Sequence, residues 1–147
     1  MRHTMLGIMM FSGLWTPHVF AESSDSIAIH HVFKKIRFND NWKVPLATGE
    51  EAQVVMMSIS PKTNPNNEVG METHTFDQVI FIINGHAKAI VNQKEYDLHT
   101  GDMVFIPLGT PHNVINLNPD KPLKLMSVYS QKDMPDEIFK TKEEEKP

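Results

Sequence analysis

The chain contains no cysteine. That excludes disulfides, thiol nucleophiles and thiolate metal sites, so the fold must hold through its core. It also lacks a basic surplus: 14 Lys and Arg stand against 18 Asp and Glu, a net charge of −4. Nucleic-acid binding draws on basic patches, and this balance argues against such a partner. Beyond the N-terminal segment no apolar run approaches the ~20 residues a bilayer span needs. No stretch keeps helical periodicity for long, and there is no internal repeat or linker. Nothing resembles a nucleophile elbow, a phosphate loop or a dinucleotide fingerprint. The 147 residues make one domain, large enough to bury roughly two-thirds of its surface.

What is present begins with "MRHTMLGIMMFSGLWTPHVFAESS". Arg2 precedes an apolar stretch from Met5 to Trp15. Val19, Phe20 and Ala21 then place small or branched residues where a signal peptidase inspects the chain. This pattern reads as a signal peptide over residues 1–21, cleaved after Ala21. The competing readings are a membrane anchor or an uncleaved arm. Export implies a periplasmic or secreted protein with no stable membrane insertion after cleavage. Loss of Arg2 makes the mature chain one charge more acidic.

Turn signals recur about every ten residues, among them Asn84-Gly85, Asn92-Gln93, Thr100-Gly101-Asp102 and Pro107 to Pro111. Between them lie "QVVMMSI", "QVIFII", "AKAIV", "MVFIP", "NVIN" and "LKLMSVY", rich in branched and aromatic residues. This spacing predicts an all-β sandwich or barrel over residues 22–134. Pro135 suits a first helical position, so a short helix is expected at Pro135 to Lys140. The tail "KTKEEEKP" is charged and expected to fray.

The polar chemistry gathers in "METHTFDQVIFII". Side chains on a strand alternate faces, so Glu72, His74, Phe76 and Gln78 share one face, with Ile80 and Ile82 continuing it. Asp77 points the other way; it reads either as a support for the ligands from behind or, as its parity favours, as a surface salt-bridge partner. A buried carboxylate must be protonated, paired or bound to a cation. A metal satisfies Glu72, His74 and Gln78 together. One strand supplies only two or three ligands in good geometry, so another must come from elsewhere. His30, His31, His86 and His99 read as surface or turn histidines. His112 follows the stiff turn "PLGTP" and opens the strand "HNVIN", which fixes its position. An empty polar pocket, or a ligand pocket without metal, is the alternative.

"GDMVFIPLGTPHNVIN" resembles the second signature of the cupin superfamily through Gly101, Pro107, Gly109, His112 and Asn116. The first signature resembles Glu72-x-His74, then Gln78 and Gly85. Here Glu72 stands for the first histidine and Gln78 for the family's glutamate, and the leading glycine is displaced to Gly70. The likeness covers the mature chain. It implies a single-domain cupin-type antiparallel β-barrel (a double-stranded β-helix or jelly roll) with its pocket between two sheets. It also implies a homodimer. The implied metal ligands are Glu72, His74, Gln78 and His112, two imidazoles with one carboxylate and one amide. Such donors suit Fe, Mn, Ni, Co or Zn, the set in non-haem Fe(II) centres included. By parity and likeness, Val54, Met56, Phe76, Ile80 and Val114 form the apolar wall.

The expected function is a metal-dependent enzyme on a small oxygenated substrate, by dioxygenase- or isomerase-type chemistry. A non-catalytic small-molecule-binding module or a dimerisation unit with a degenerate metal site is the alternative. Ten methionines raise copper handling, but those in the mature chain sit in strand-like runs where Met fills cores.

Overall fold

The computed structural model describes residues 26–145. The expected signal peptide lies outside the described residues. The chain runs through helix α1 (Val32–Arg37) and eight strands: β1 (Lys43–Thr48), β2 (Gln53–Ile59), β3 (Gln78–Asn84), β4 (His86–Val91), β5 (Lys94–His99), β6 (Met103–Ile106), β7 (His112–Asn116) and β8 (Leu123–Tyr129). A 3-10 turn spans Lys142–Glu145. No helix among the described residues is long and apolar enough to cross a membrane.

Two antiparallel sheets result, one ordered β1-β2-β8-β3-β6 and one ordered β5-β4-β7. The six strands read from apolar runs all form. β1 and β5 were less legible. β1 lies at a sheet edge, where Pro45 sits beside a register shift and costs no central ladder bond. β5 buries only Leu98. Asn92 and Gln93 both adopt positive φ (47° and 68°), the twist of a tight β4–β5 hairpin. Gly85 (φ 129°) joins β3 to β4 where any Cβ would lie 2.8 Å from Asn118 Nδ2.

The core fills the space between the sheets. Val55, Met57, Ile59, Ile80, Ile82, Ala87, Ala89, Val114, Leu123, Leu125 and Tyr129 all point inward. Phe76, Ile80 and Val114 hold the inner positions expected of them. Val54 and Met56 do not: Val55 and Met57 take the interior. "VVMM" is apolar on both faces, so it carries no alternation that could set the parity.

The outer face of the large sheet explains this run. Cross-strand partners align Val54–Val128–Val79–Phe105 in one row and Met56–Met126–Phe81–Met103 in the next. Met103 and Phe105 are half exposed, at 51% and 52%. Helix α1 packs near β3 and β8 through fully buried Ile36. Beside it, the Lys124 ammonium donates to Asn39 O, Ser58 Oγ (2.9 Å) and Asp40 Oδ1 (3.2 Å).

The helix expected at residues 135–140 is not there. Phe139 exchanges backbone hydrogen bonds with Lys43 (3.0 and 3.1 Å). The Gln53 side chain accepts from the Asp133 and Met134 N–H groups and donates to Met134 O. Backbone groups that a helix would pair internally are committed to the barrel. Nor does the tail fray through Glu145: Trp42 Nε1 donates to its carboxylate (2.6 Å), and buried Lys43 pairs with it.

Candidate metal centre

Two distant stretches are clamped together by backbone. Glu72 and His112 exchange both N–H···O=C bonds at 2.9 Å, an antiparallel bridge outside the regular strands. Gly109 N–H donates to His74 O at 2.7 Å, tying the second motif's turn to the first. Gly109 adopts φ 73°, a conformation that a residue with a Cβ resists. Asp77 points away from the interior, as its parity requires. Among the described residues it makes no salt bridge, however. Its carboxylate accepts from Leu108 N–H (2.9 Å) and holds the "PLGTP" turn in place. Asn116 serves the scaffold too: its amide donates to Ser60 O and Lys121 O, both at 2.9 Å, and anchors the end of β7.

The four predicted residues converge. Glu72, His74 and His112 each offer a donor atom, all within 4.8 Å of one another. The His74 and His112 rings lie 5.2 Å apart, tilted by 52°. Glu72, Gln78 and His112 line a cavity of about 10 Å³ with Met57, Val69, Ile80, Val114, Leu125 and Tyr129. That is room for about one water or one ion. Gln78 and His112 are buried, whereas the Glu72 and His74 side chains keep 30% and 13% of their surface exposed. The accessible side of the cluster is therefore the Glu72–His74 side.

Hydrogen bonding decides what each group presents. His112 Nδ1 lies 2.9 Å from Thr110 O; since a carbonyl only accepts, Nδ1 carries the proton and Nε2 keeps its lone pair. Burial lowers the pKa of His112, the Thr110 carbonyl opposing it, so the ring is a neutral donor at pH 7. Gln78 Nε2 donates to Ser127 Oγ at 2.7 Å, which turns Oε1 the other way. The amide thus offers its oxygen to the cavity. Burial alone would raise the pKa of Glu72, but the His74 contact, reinforced by Lys43 and His112, brings it below its ordinary value. The residue stays a carboxylate.

Three of these buried atoms have no hydrogen-bond partner among the described residues: His74 Nε2, Gln78 Oε1 and His112 Nε2. His74 Nε2 stands 3.4 Å from Glu72 Oε2. Buried polar atoms are nearly always satisfied, and each one left unpaired costs about 1–3 kcal/mol. Three orphans beside one carboxylate form a donor set that fits a divalent cation.

Tyr129 is the neighbour that motif reading missed. Its ring packs 5.9 Å from His74 and 5.4 Å from Phe76. Burial, then the Glu72 charge, pushes its phenol pKa well up, so it stays protonated. The inward parity of Leu125, Ser127 and Tyr129 on β8 was the available signal.

Comparison with known proteins agrees with this architecture. Residues 62–129 match the family described as Cupin domain. An uncharacterised protein of Acanthamoeba polyphaga mimivirus is 28% identical over 116 residues, covering 77% of this chain and 71% of that one. The crystal structure of BH2720 from Bacillus halodurans superposes with a TM-score of 0.73 at 26% identity, covering 79% of this chain and 90% of that one. An RmlC-like cupin from Shewanella frigidimarina gives 0.54 at 19% identity, with 61% and 75% covered. Residues 62–129 form a cupin domain, and the chain has the two-sheet jelly-roll fold of the small cupins it superposes on.

Proposed function

We propose that this cupin holds one divalent transition metal through Glu72, His74, Gln78 and His112, and that it is an exported enzyme acting on a small oxygenated molecule. The observation that carries the metal is the group of three unsatisfied buried donor atoms beside the Glu72 carboxylate. Two imidazoles and one carboxylate match the set used by non-haem Fe(II) centres, and Mn, Ni, Co and Zn accept the same donors. A bound metal supplies Lewis-acid polarisation of a substrate oxygen, or redox chemistry with dioxygen.

The chain's own residues do the rest. His112 presents Nε2 in a fixed tautomer, and Gln78 presents a carbonyl oxygen rather than an NH2 group. Tyr129 and Val114 exclude water behind them. The cavity at the donors has room for the ion alone, so a sugar derivative or carboxylate would approach from the more exposed Glu72–His74 side.

Metal analysis after expression without chelator tests the site. The interior donors are expected to account for one equivalent in the parent chain, and Glu72→Ala or His112→Ala should lose that equivalent. Full occupancy in both variants overturns the ligand set. Anaerobic Fe(II) loading followed by an oxygen-uptake screen separates an enzyme from a metal-bearing binder. For export, the "MRHTMLGIMMFSGLWTPHVFA" pattern supports cleavage, read out as a mature mass beginning at Glu22.

A homodimer forms part of this reading. The outer face of the large sheet carries two apolar rows in which Met103 and Phe105 are half exposed, and this supports pairing through that face. An isologous pairing through this face places like rows against each other.

A further inference from the structure

A second cluster of ligand atoms lies on the opposite surface of the small sheet. Ala87 and Ala89 of β4 and Leu98 of β5 point into the barrel, so His86, Asp97 and His99 point out. His86 and His99 are cross-strand partners, and Asp97 sits one diagonal step away. The two rings stack at 4.3 Å with 12° between their planes. His86 Nε2 lies 2.6 Å from Asp97 Oδ1, and His99 Nδ1 lies 4.0 Å from Asp97 Oδ2. One donor atom from each residue falls within 4.8 Å of the others.

We propose that His86, Asp97 and His99 form an exterior site for a hydrated divalent transition-metal ion, separate from the interior donors. Two imidazoles and a carboxylate suit Zn(II), Cu(II) or Ni(II). The side chains are 36%, 66% and 60% exposed, so water fills the remaining positions. On binding, His86 Nε2 leaves its contact with Asp97 and offers its lone pair to the ion, the ring proton resting on Nδ1.

The backbone beneath is fixed before any ion arrives. Gly85 N–H donates to Thr100 Oγ1 (2.9 Å), and Thr100 N–H returns to Gly85 O (3.1 Å). His99 N–H donates to Asp102 Oδ2 (2.7 Å), while His86 O accepts from Leu117 N–H (3.0 Å). Both Cα positions are therefore held, and binding needs only rotation of exposed rings. The nearest cation on these strands, Lys88, is the register partner of Asp97. Its ammonium pairs with Glu95 Oε2 at 3.0 Å. The expectation for turn histidines placed His86 and His99 correctly at the surface. It missed that the hairpin register brings them face to face.

Zn(II) titration by calorimetry tests the assignment, with melting curves as a folding control. The parent chain is expected to bind two equivalents. His112→Ala, or Glu72→Ala if that variant folds better, should keep one. Adding His99→Ala to either should weaken the remaining equivalent at least about tenfold. Cu(II) bound to the His112→Ala chain should show couplings from two imidazole nitrogens, reduced by His99→Ala. If the parent binds one equivalent that His112→Ala abolishes, the exterior site is wrong and the interior one stands. If the parent binds one equivalent that His99→Ala abolishes and His112→Ala leaves alone, the interior reading fails instead. An unchanged isotherm on adding His99→Ala also overturns the exterior site.

Discussion

Ser127 decides which end of Gln78 faces the cavity. Its hydroxyl takes the amide NH2 at 2.7 Å, so the oxygen is left toward Glu72 and His112. Ser127→Ala removes that anchor while adding little volume change. Metal affinity is expected to fall about 10–100-fold, as for other residues that orient a ligand from behind, with the fold intact. Calorimetry on the parent and the variant measures it. His112 carries a pH dependence. Its folded pKa lies below the ordinary value of 6.5, so below that value the unfolded chain binds more protons than the folded one. The stability this residue contributes is complete above pH 6.5 and is lost as pH falls toward the folded value. Urea melts of the metal-free chain at pH 7.5 and 5.5 should show that loss, and His112→Gln should flatten it. That Glu72, His74, Gln78 and His112 come together was legible from the motif spacing on either side of "PLGTP", although the regular strand expected from residue 72 begins only at Gln78. The roles of Ser127 and Tyr129 were not, since they depend on β8 lying beside β3 across a long sequence separation.

At the scale of elements, strands with one polar face read cleanly and strands without one did not. β2 shows the limit: its length was right and its facing was inverted, because an apolar sequence on both sides leaves nothing for water to sort. Helix α1 escaped notice for a related reason. Six residues give one buried contact, Ile36, and His31 at its N-terminus has positive φ and no side-chain capping bond. The C-terminal segment shows tertiary pairing overriding a local signal. Pro135 invites a helix, yet Phe139 and Glu145 are worth more to β1 than to each other. Ending the chain after Thr141 removes Glu145 and strands the Lys43 ammonium, which is only 3% exposed. Because Glu145 is partly solvated, the loss is expected at about 1–3 kcal/mol, below that of a fully buried pair. Urea denaturation reads it, and Lys43→Met in the shortened chain should recover much of it.

The whole molecule is a sheet pair with unequal exteriors. The small sheet turns His86, Lys88, Asp97 and His99 to solvent, and the large sheet turns out two rows of Val, Met and Phe. Phe81→Glu places a charge in the middle of those rows. A dimer through that face should become monomeric in light-scattering chromatography, with metal content unchanged. A parent chain that is already monomeric would rule the pairing out. The two halves of the interior cluster also differ in compliance. His112 and Gln78 are braced from behind by Thr110 and Ser127, whereas Glu72 and His74 lie in irregular chain before β3. With their backbones clamped, Glu72 and His74 can adjust to an ion's radius only through their side chains, while Gln78 and His112 are held at both ends.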